Sequence, residues 1–266
     1  MADSQSLHPC ETFTPGGYRF LPSVFQYSAG VAALPGHRIE QVRFAQPVPL
    51  AKAFAYAERH LAGIGRPTTA FAHCELRSPR QFDDQSFIEF NRRYVQQLAR
   101  WGLYTEAVDG RAAINPVART NVVPAHHPPA EISMAAFSYT VTTTEPGADS
   151  FVLAGGGDAR KGSEPYKDRI VAFGDTSPAG MRAKIAFVVA EMGRRLASFG
   201  LGWEHARAVQ AYSVHAIGEG VVAELAAPGR IGCGLTWHVA HPPVQGLAYE
   251  MDVRGRVNLV MAAEVA

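Results

Sequence analysis

Cysteine is scarce in this 266-residue chain. The three, Cys10, Cys74 and Cys233, are odd in number, lie far apart and form no Cys-x-x-Cys pair. That pattern argues against a disulfide framework and fits a reducing cytoplasm. Excess charge is missing too. With 25 Lys and Arg against 24 Asp and Glu, the net charge is +1, so no electrostatic case exists for nucleic acid or an anionic membrane. No apolar run approaches the ~20 residues of a membrane-crossing helix. The opening MADSQSLHPC has neither the basic start nor the apolar core of a signal peptide.

What is present is an ordinary globular composition. The chain is 47% hydrophobic and 18% charged, enough for one large core or two modest ones. Residues 1–17 are polar, carry TPGG, and read as a loose tail. Two strands around an LPGH turn follow. Leu50, Ala53, Phe54, Ala57 and Leu61 then keep helical spacing until Gly63 and Gly65. TTAFAHCELRS reads as a strand. A helix over about 84–101 shows Phe87, Phe90, Tyr94, Leu98 and Trp101 on one face, with Asp83 or Asp84 available as its cap. ARTNVVP and ISMAAFSYTVTTTE are strands on either side of an AHHPPAE turn.

After PGADS the order recurs. FVLAGGGDA is a strand, 160–177 a long polar loop, and 178–199 a helix striped by Met181, Ile185, Val188, Met192, Leu196 and Phe199. HARAVQAYSV, CGLTWHVA and LAYEMDVRGRVNLVMA supply further strands. The expectation is a tail at 1–17, a half at 18–129 and a second half at 130–266. It is a repeat of architecture rather than of letters. The fold class is α/β (α+β), each half a mixed sheet with helices on one face.

The chemistry centres on few residues. Arg119 is the single charge in NPVARTNVVP. A guanidinium suits a carboxylate because its planar fork makes two charge-assisted hydrogen bonds; the plainer reading is a surface or structural ion pair. In LAYEMDV, Leu247, Tyr249, Met251 and Val253 alternate with Ala248, Glu250 and Asp252. The second face is either solvent or a cleft, and a buried glutamate there would be a candidate acid or base. Asp252 is the less favoured partner. Gly155, Gly156 and Gly157 follow a strand without the spacing of a dinucleotide loop, so close backbone approach to a small ligand is their reading. His126, His127, His238 and His241 do not sit at metal-ligand spacing; His238 is a candidate pocket-lining residue. No cofactor or metal is implied.

Two segments resemble the RidA (YjgF/endoribonuclease L-PSP) superfamily. FIEFNRRYVQQL looks like that family's F-x-x-x-N-x-x-Y helix start and PVARTNVVP like its P-x-R-[ST] strand. The resemblance implies two tandem RidA/chorismate-mutase-like halves. Arg119 would be the carboxylate anchor, Asn91 the helix-start asparagine, Glu250 the residue that positions or activates water, and Gly155–Gly156 the backbone wall. Ala154 replaces that wall's serine. Neither half carries both an arginine and a glutamate, which implies a single site between them. The layout also loosely resembles the chorismatases. The expected activity is hydrolytic deamination of an enamine or imine carboxylic acid by a cytoplasmic homo-oligomer, a trimer favoured, with a small-molecule carboxylate as partner. The alternatives are hydrolysis of an enol-ether acid, with the absence of a second arginine counting against a dicarboxylate, and a non-catalytic metabolite-binding protein.

Overall fold

The computed structural model describes residues 6–109, 112–145, 149–226 and 232–262. Part of the tail and most of the PGADS turn lie outside them. Along the chain come β1 (Glu11–Phe13), β2 (Tyr18–Phe20), β3 (Gly30–Ala33), β4 (His37–Pro49), α1 (Leu50–Gly63), β5 (Phe71–Arg77), α2 (Asp84–Arg100), β6 (Ala118–Pro124) and β7 (Ser133–Thr142). Then follow β8 (Phe151–Gly157), α3 (Tyr166–Arg169), α4 (Pro178–Ser198), β9 (Ala208–Tyr212), α5 (Gly218–Leu225), β10 (Thr236–His238), β11 (Ala240–His241), β12 (Glu250–Arg254) and β13 (Val257–Met261).

The strands form two mixed sheets, ordered β1-β2-β3-β8-β12-β9-β10 and β11-β6-β5-β7-β4-β13. The α/β reading with helices on one face of each sheet therefore holds. The pairing sense matches between the runs β8-β12-β9-β10 and β4-β7-β5-β6: antiparallel, antiparallel, parallel in each. The boundary read at 129/130 cuts between β6 and β7, which share a sheet. Residues 11–13, read as loose tail, are a strand paired to β2.

The helices form where the apolar spacing says they should. The stripe Ala53, Phe54, Ala57 and Leu61 on α1 and Phe87, Phe90, Tyr94 and Leu98 on α2 are buried. Most of these join Phe71, Trp101 and Phe137 in one core over the six-stranded sheet. Asp83 caps α2 by accepting the Ser86 N–H at 2.7 Å. Ser177 caps α4, with Pro178 at its first turn. Met181, Ile185, Val188, Met192 and Leu196 of α4 pack on Leu153, Met251 and Val253 of the seven-stranded sheet.

The two inner faces cover each other. Tyr18, Val31, Val152 and Ala154 of one sheet meet Ile39, Ala72 and Ala118 of the other. These faces are buried against each other within one chain. Val122 and Ala240 meet Tyr212 in a second small apolar contact, and much of the layer between is polar. Glu75 on β5 accepts from Arg43, Arg77 and Arg254 at 2.8–2.9 Å. Asp252 on β12 accepts from Thr120, Gln210, Tyr212 and Arg254. No helix among the described residues is long and apolar enough to cross a membrane.

Candidate functional site

Arg119 lies on β6, whose neighbour β5 places Cys74 beside it. Its side chain points toward α2, into an aromatic sleeve. The guanidinium carbon sits 5.0 Å from the Tyr27 ring centre, 5.3 Å from Phe90 and 4.6 Å from Tyr94, a cation–π environment that holds charge without neutralising it. Nη2 donates to Asn91 Oδ1 at 2.7 Å. Asn91 is oriented in turn because its Nδ2 donates to Phe87 O one turn back, also at 2.7 Å. Nη1 is buried and has no partner among the described residues. An unpaired buried donor costs about 1–3 kcal/mol, more when charged, so this is a group waiting for an acceptor.

Glu250 comes from the other sheet, at the start of β12. The alternation read in the sequence is what the strand does: Met251 and Val253 face α4, while Asp252 faces the opposing sheet. Glu250 is 4% exposed, and among the described residues no hydrogen bond holds its carboxyl. Burial, then the neighbouring Asp252 carboxylate, push its pKa up to about 8, against the pull of Arg119. It is largely protonated at neutral pH and can donate a proton.

Arg119 and Glu250 line one cavity of about 850 Å³, with Tyr27, Gly155, Gly156 and Arg195. The Glu250 carboxyl lies directly against Gly155: a Cβ there would sit 2.1 Å from Oε1 and push the carboxyl aside. Its N–H donates to Thr120 Oγ1 at 3.1 Å, and Thr120 donates to Asp252, tying the glycine wall to the inter-sheet network. The lining is strongly cationic, with six Arg and Lys side chains against two carboxylates. Cys74, next to Arg119, is no nucleophile, since burial pushes its thiol up to about 11.

Two of the expected residues fall elsewhere. Asn91 holds Arg119 from behind and does not line the cavity. His238 is not at the cavity either; its Nε2 donates to Gln210 Oε1 at 2.8 Å and its ring stacks on Tyr212. The sequence reading missed Tyr27 and Arg195. The objection to a dicarboxylate falls with the second. The second buried guanidinium of the cavity, Arg195, arrives from α4 rather than from a strand. A charge flanking that helix's apolar stripe three residues after Met192 was the available signal, masked because arginines near a helix C-terminus are ordinary.

The chain matches the family described as 2-aminomuconate deaminase CnbZ over residues 10–259. It belongs to that family. It is also 60% identical over 247 residues to the 2-amino-5-chloromuconate deaminase of Comamonas testosteroni, covering 92% of this chain and 96% of that protein. The coarse activity these matches support is that of a deaminase enzyme. A crystal structure of a chorismatase has a related fold, with a TM-score of 0.52 and 12% identity over 95% of this chain and 80% of that one. The CnbZ match corrects the resemblance to the RidA superfamily. The two short motifs that carried it mark the Asn91–Arg119 contact, and one asparagine fixing one arginine is too small a pattern to identify a family.

Proposed function

We propose that this member of the CnbZ family hydrolytically deaminates an enamine carboxylic acid of the 2-aminomuconate type in the cavity between the two sheets. The observation that carries the reading is a buried Glu250, its pKa pushed up to about 8, sharing a cavity with a buried Arg119 whose Nη1 lacks an acceptor among the described residues. The substrate carboxylate accepts from Arg119. The Glu250 carboxyl protonates the enamine carbon next to the C–N carbon, giving an iminium. The resulting Glu250 carboxylate takes a proton from water as its oxygen bonds to the iminium carbon. Glu250 then protonates the amine nitrogen, the C–N bond breaks, and the hydroxyl proton returns to Glu250. The sum is enamine plus water giving ketone plus ammonia. The glycine wall at 155–156, where β8 runs on past its pairing with β3, lets the reacting chain approach the backbone.

Enol-ether hydrolysis would use the same acid, but the family and the Comamonas relative both favour an amine leaving group. The test is ammonia release from 2-aminomuconate, followed with loss of the diene absorbance, for wild type, Glu250→Gln and Arg119→Gln. Release by wild type alone supports the reading. No release by wild type above the uncatalysed rate overturns it.

A further inference from the structure

The second buried guanidinium of the cavity has a route of its own. β3 pairs with β8 only as far as Leu153, with a last contact from Ala154 N to Ala29 O. Beside Gly155–Gly157 the sheet is therefore notched. Arg195 rises from α4, on the helix-covered face, and reaches this notch. Its Nη1 donates to Ala154 O at 3.0 Å and Ala29 O at 3.3 Å, and its Nε to Glu191 Oε1 at 3.0 Å. A Cβ on Gly156 would lie 3.2 Å from Nη2 and 2.6 Å from the Met192 methyl, so the glycine is what lets the guanidinium come up to the strand. Nη2 makes no hydrogen bond among the described residues, and Arg195 is only 9% exposed.

The other cations of the lining are placed differently. Arg194 spends its Nε and Nη2 on Glu191. Arg169 stacks on Tyr166 and donates to the Glu164 and Arg160 carbonyls. Arg160 and Lys161 are exposed, where solvent and salt screen them. Among these lining cations, Arg119 has a buried nitrogen without a partner; Arg195, buried and mounted on Ala154, Ala29 and Glu191, keeps its Nη2 outside any hydrogen bond among the described residues.

We propose that Arg195 binds the second carboxylate of the substrate and makes the enzyme selective for linear unsaturated dicarboxylates, the amino-bearing chain lying with one end on Arg119, the other on Arg195 and its middle at Glu250. The assignment rests on the deaminase reading and adds to it the residue that sets substrate class. Arg195 is a specificity residue here, with no part in the proton transfers.

The test uses two inert six-carbon dienes of one shape, muconate with two carboxylates and sorbate with one, as competitive inhibitors or as calorimetric ligands. Wild type is expected to bind muconate at least about tenfold tighter than sorbate, the scale of a buried charge-assisted contact. Arg195→Gln brings that ratio close to one while sorbate affinity stays within about threefold, and it raises KM for 2-aminomuconate more than it lowers kcat. Arg119→Gln weakens both ligands. A wild type that does not prefer muconate, or an Arg195→Gln ratio equal to that of wild type, overturns the inference. If the glutamine variant melts early, Arg195→Lys decides instead: an intermediate ratio supports the assignment and an unchanged one overturns it. Ammonia release by wild type is scored separately, so loss of the deaminase reading and loss of the Arg195 assignment are told apart.

Discussion

One strand, β12, serves two unlike regions of the same inter-sheet layer. At Asp252 and Arg254 each charge faces an opposite one within 3.3 Å, although Arg254 Nε itself makes no hydrogen bond among the described residues. Glu75 is fully buried yet, against the upward push of burial, Arg254, Arg77 and Arg43 hold its carboxyl well below the usual range. Two residues before Asp252, Glu250 has no ion-pair partner among the described residues and its pKa moves the other way, to about 8. Arg119 keeps a buried nitrogen without an acceptor. Ion-paired charges of the first kind tie the sheets together; Glu250 and Arg119, which have no ion pair among the described residues, have free energy left for a ligand.

The sharpest break of this contrast is a crossed pair of substitutions. Glu75→Gln leaves three arginines facing a neutral group and is expected to destabilise by about 3–5 kcal/mol, read in urea unfolding, with kcat of the folded fraction little changed. Glu250→Gln is expected to lower kcat by roughly 10²–10⁴-fold. It should also make the protein more stable at pH 7.5 and above. The folded-state pKa of Glu250 lies above its unfolded value of 4.5. The native protein therefore binds the extra proton, and wild-type stability falls as pH rises from about 4.5 toward 8. Thermal melts across that window should slope downward for wild type and less so for the glutamine variant. Equal slopes would mean that Glu250 is charged in the native state.

A smaller change, Gly155→Ala, pushes a methyl into Glu250 Oε1. It should cost about 10²-fold in kcat through misplacement of the acid, while far-UV and melting behaviour stay close to wild type. Activity retained at the wild-type level would show that the carboxyl need not sit against the glycine wall.

Asp252→Asn tests the link between the regions. Activity that needs protonated Glu250 falls as pH passes about 8. Removing the Asp252 charge lowers the Glu250 pKa, so the alkaline limb of the kcat/KM profile should move to lower pH by up to about one unit. An unmoved limb would assign it to another group. Smallest of all is His238→Ala, which lies off the cavity and should leave kcat/KM within about threefold.

Much of the local structure was legible in the letters. The stripe from Ala53 to Leu61, the Asp83 cap and the alternation through Met251 and Val253 all depend on neighbours within a turn or a pleat. Arg119 stood out as the single charge in a run of strand formers, whereas Glu250 fitted the polar face of an alternating strand and was marked only by the resemblance. Asn91 was legible as a partner of Arg119 only through a motif, and the family that motif pointed to was not the right one.

The sequence by itself determined most of the helices and strands, which of their faces are apolar, and that one arginine interrupts the β6 run; β1 and α3 fell in stretches that read as tail and loop. Only the tertiary structure decided that the two sheets close on each other, that Tyr27 and Arg195 enter the same cavity as Arg119 and Glu250, and that His238 stays outside it. The reason is the range of the forces. Helical and strand periodicities are set by residues a few positions apart. By contrast, the pairing of β12 with β8 and the notch that admits Arg195 depend on contacts between residues far apart along the chain, which no local pattern records.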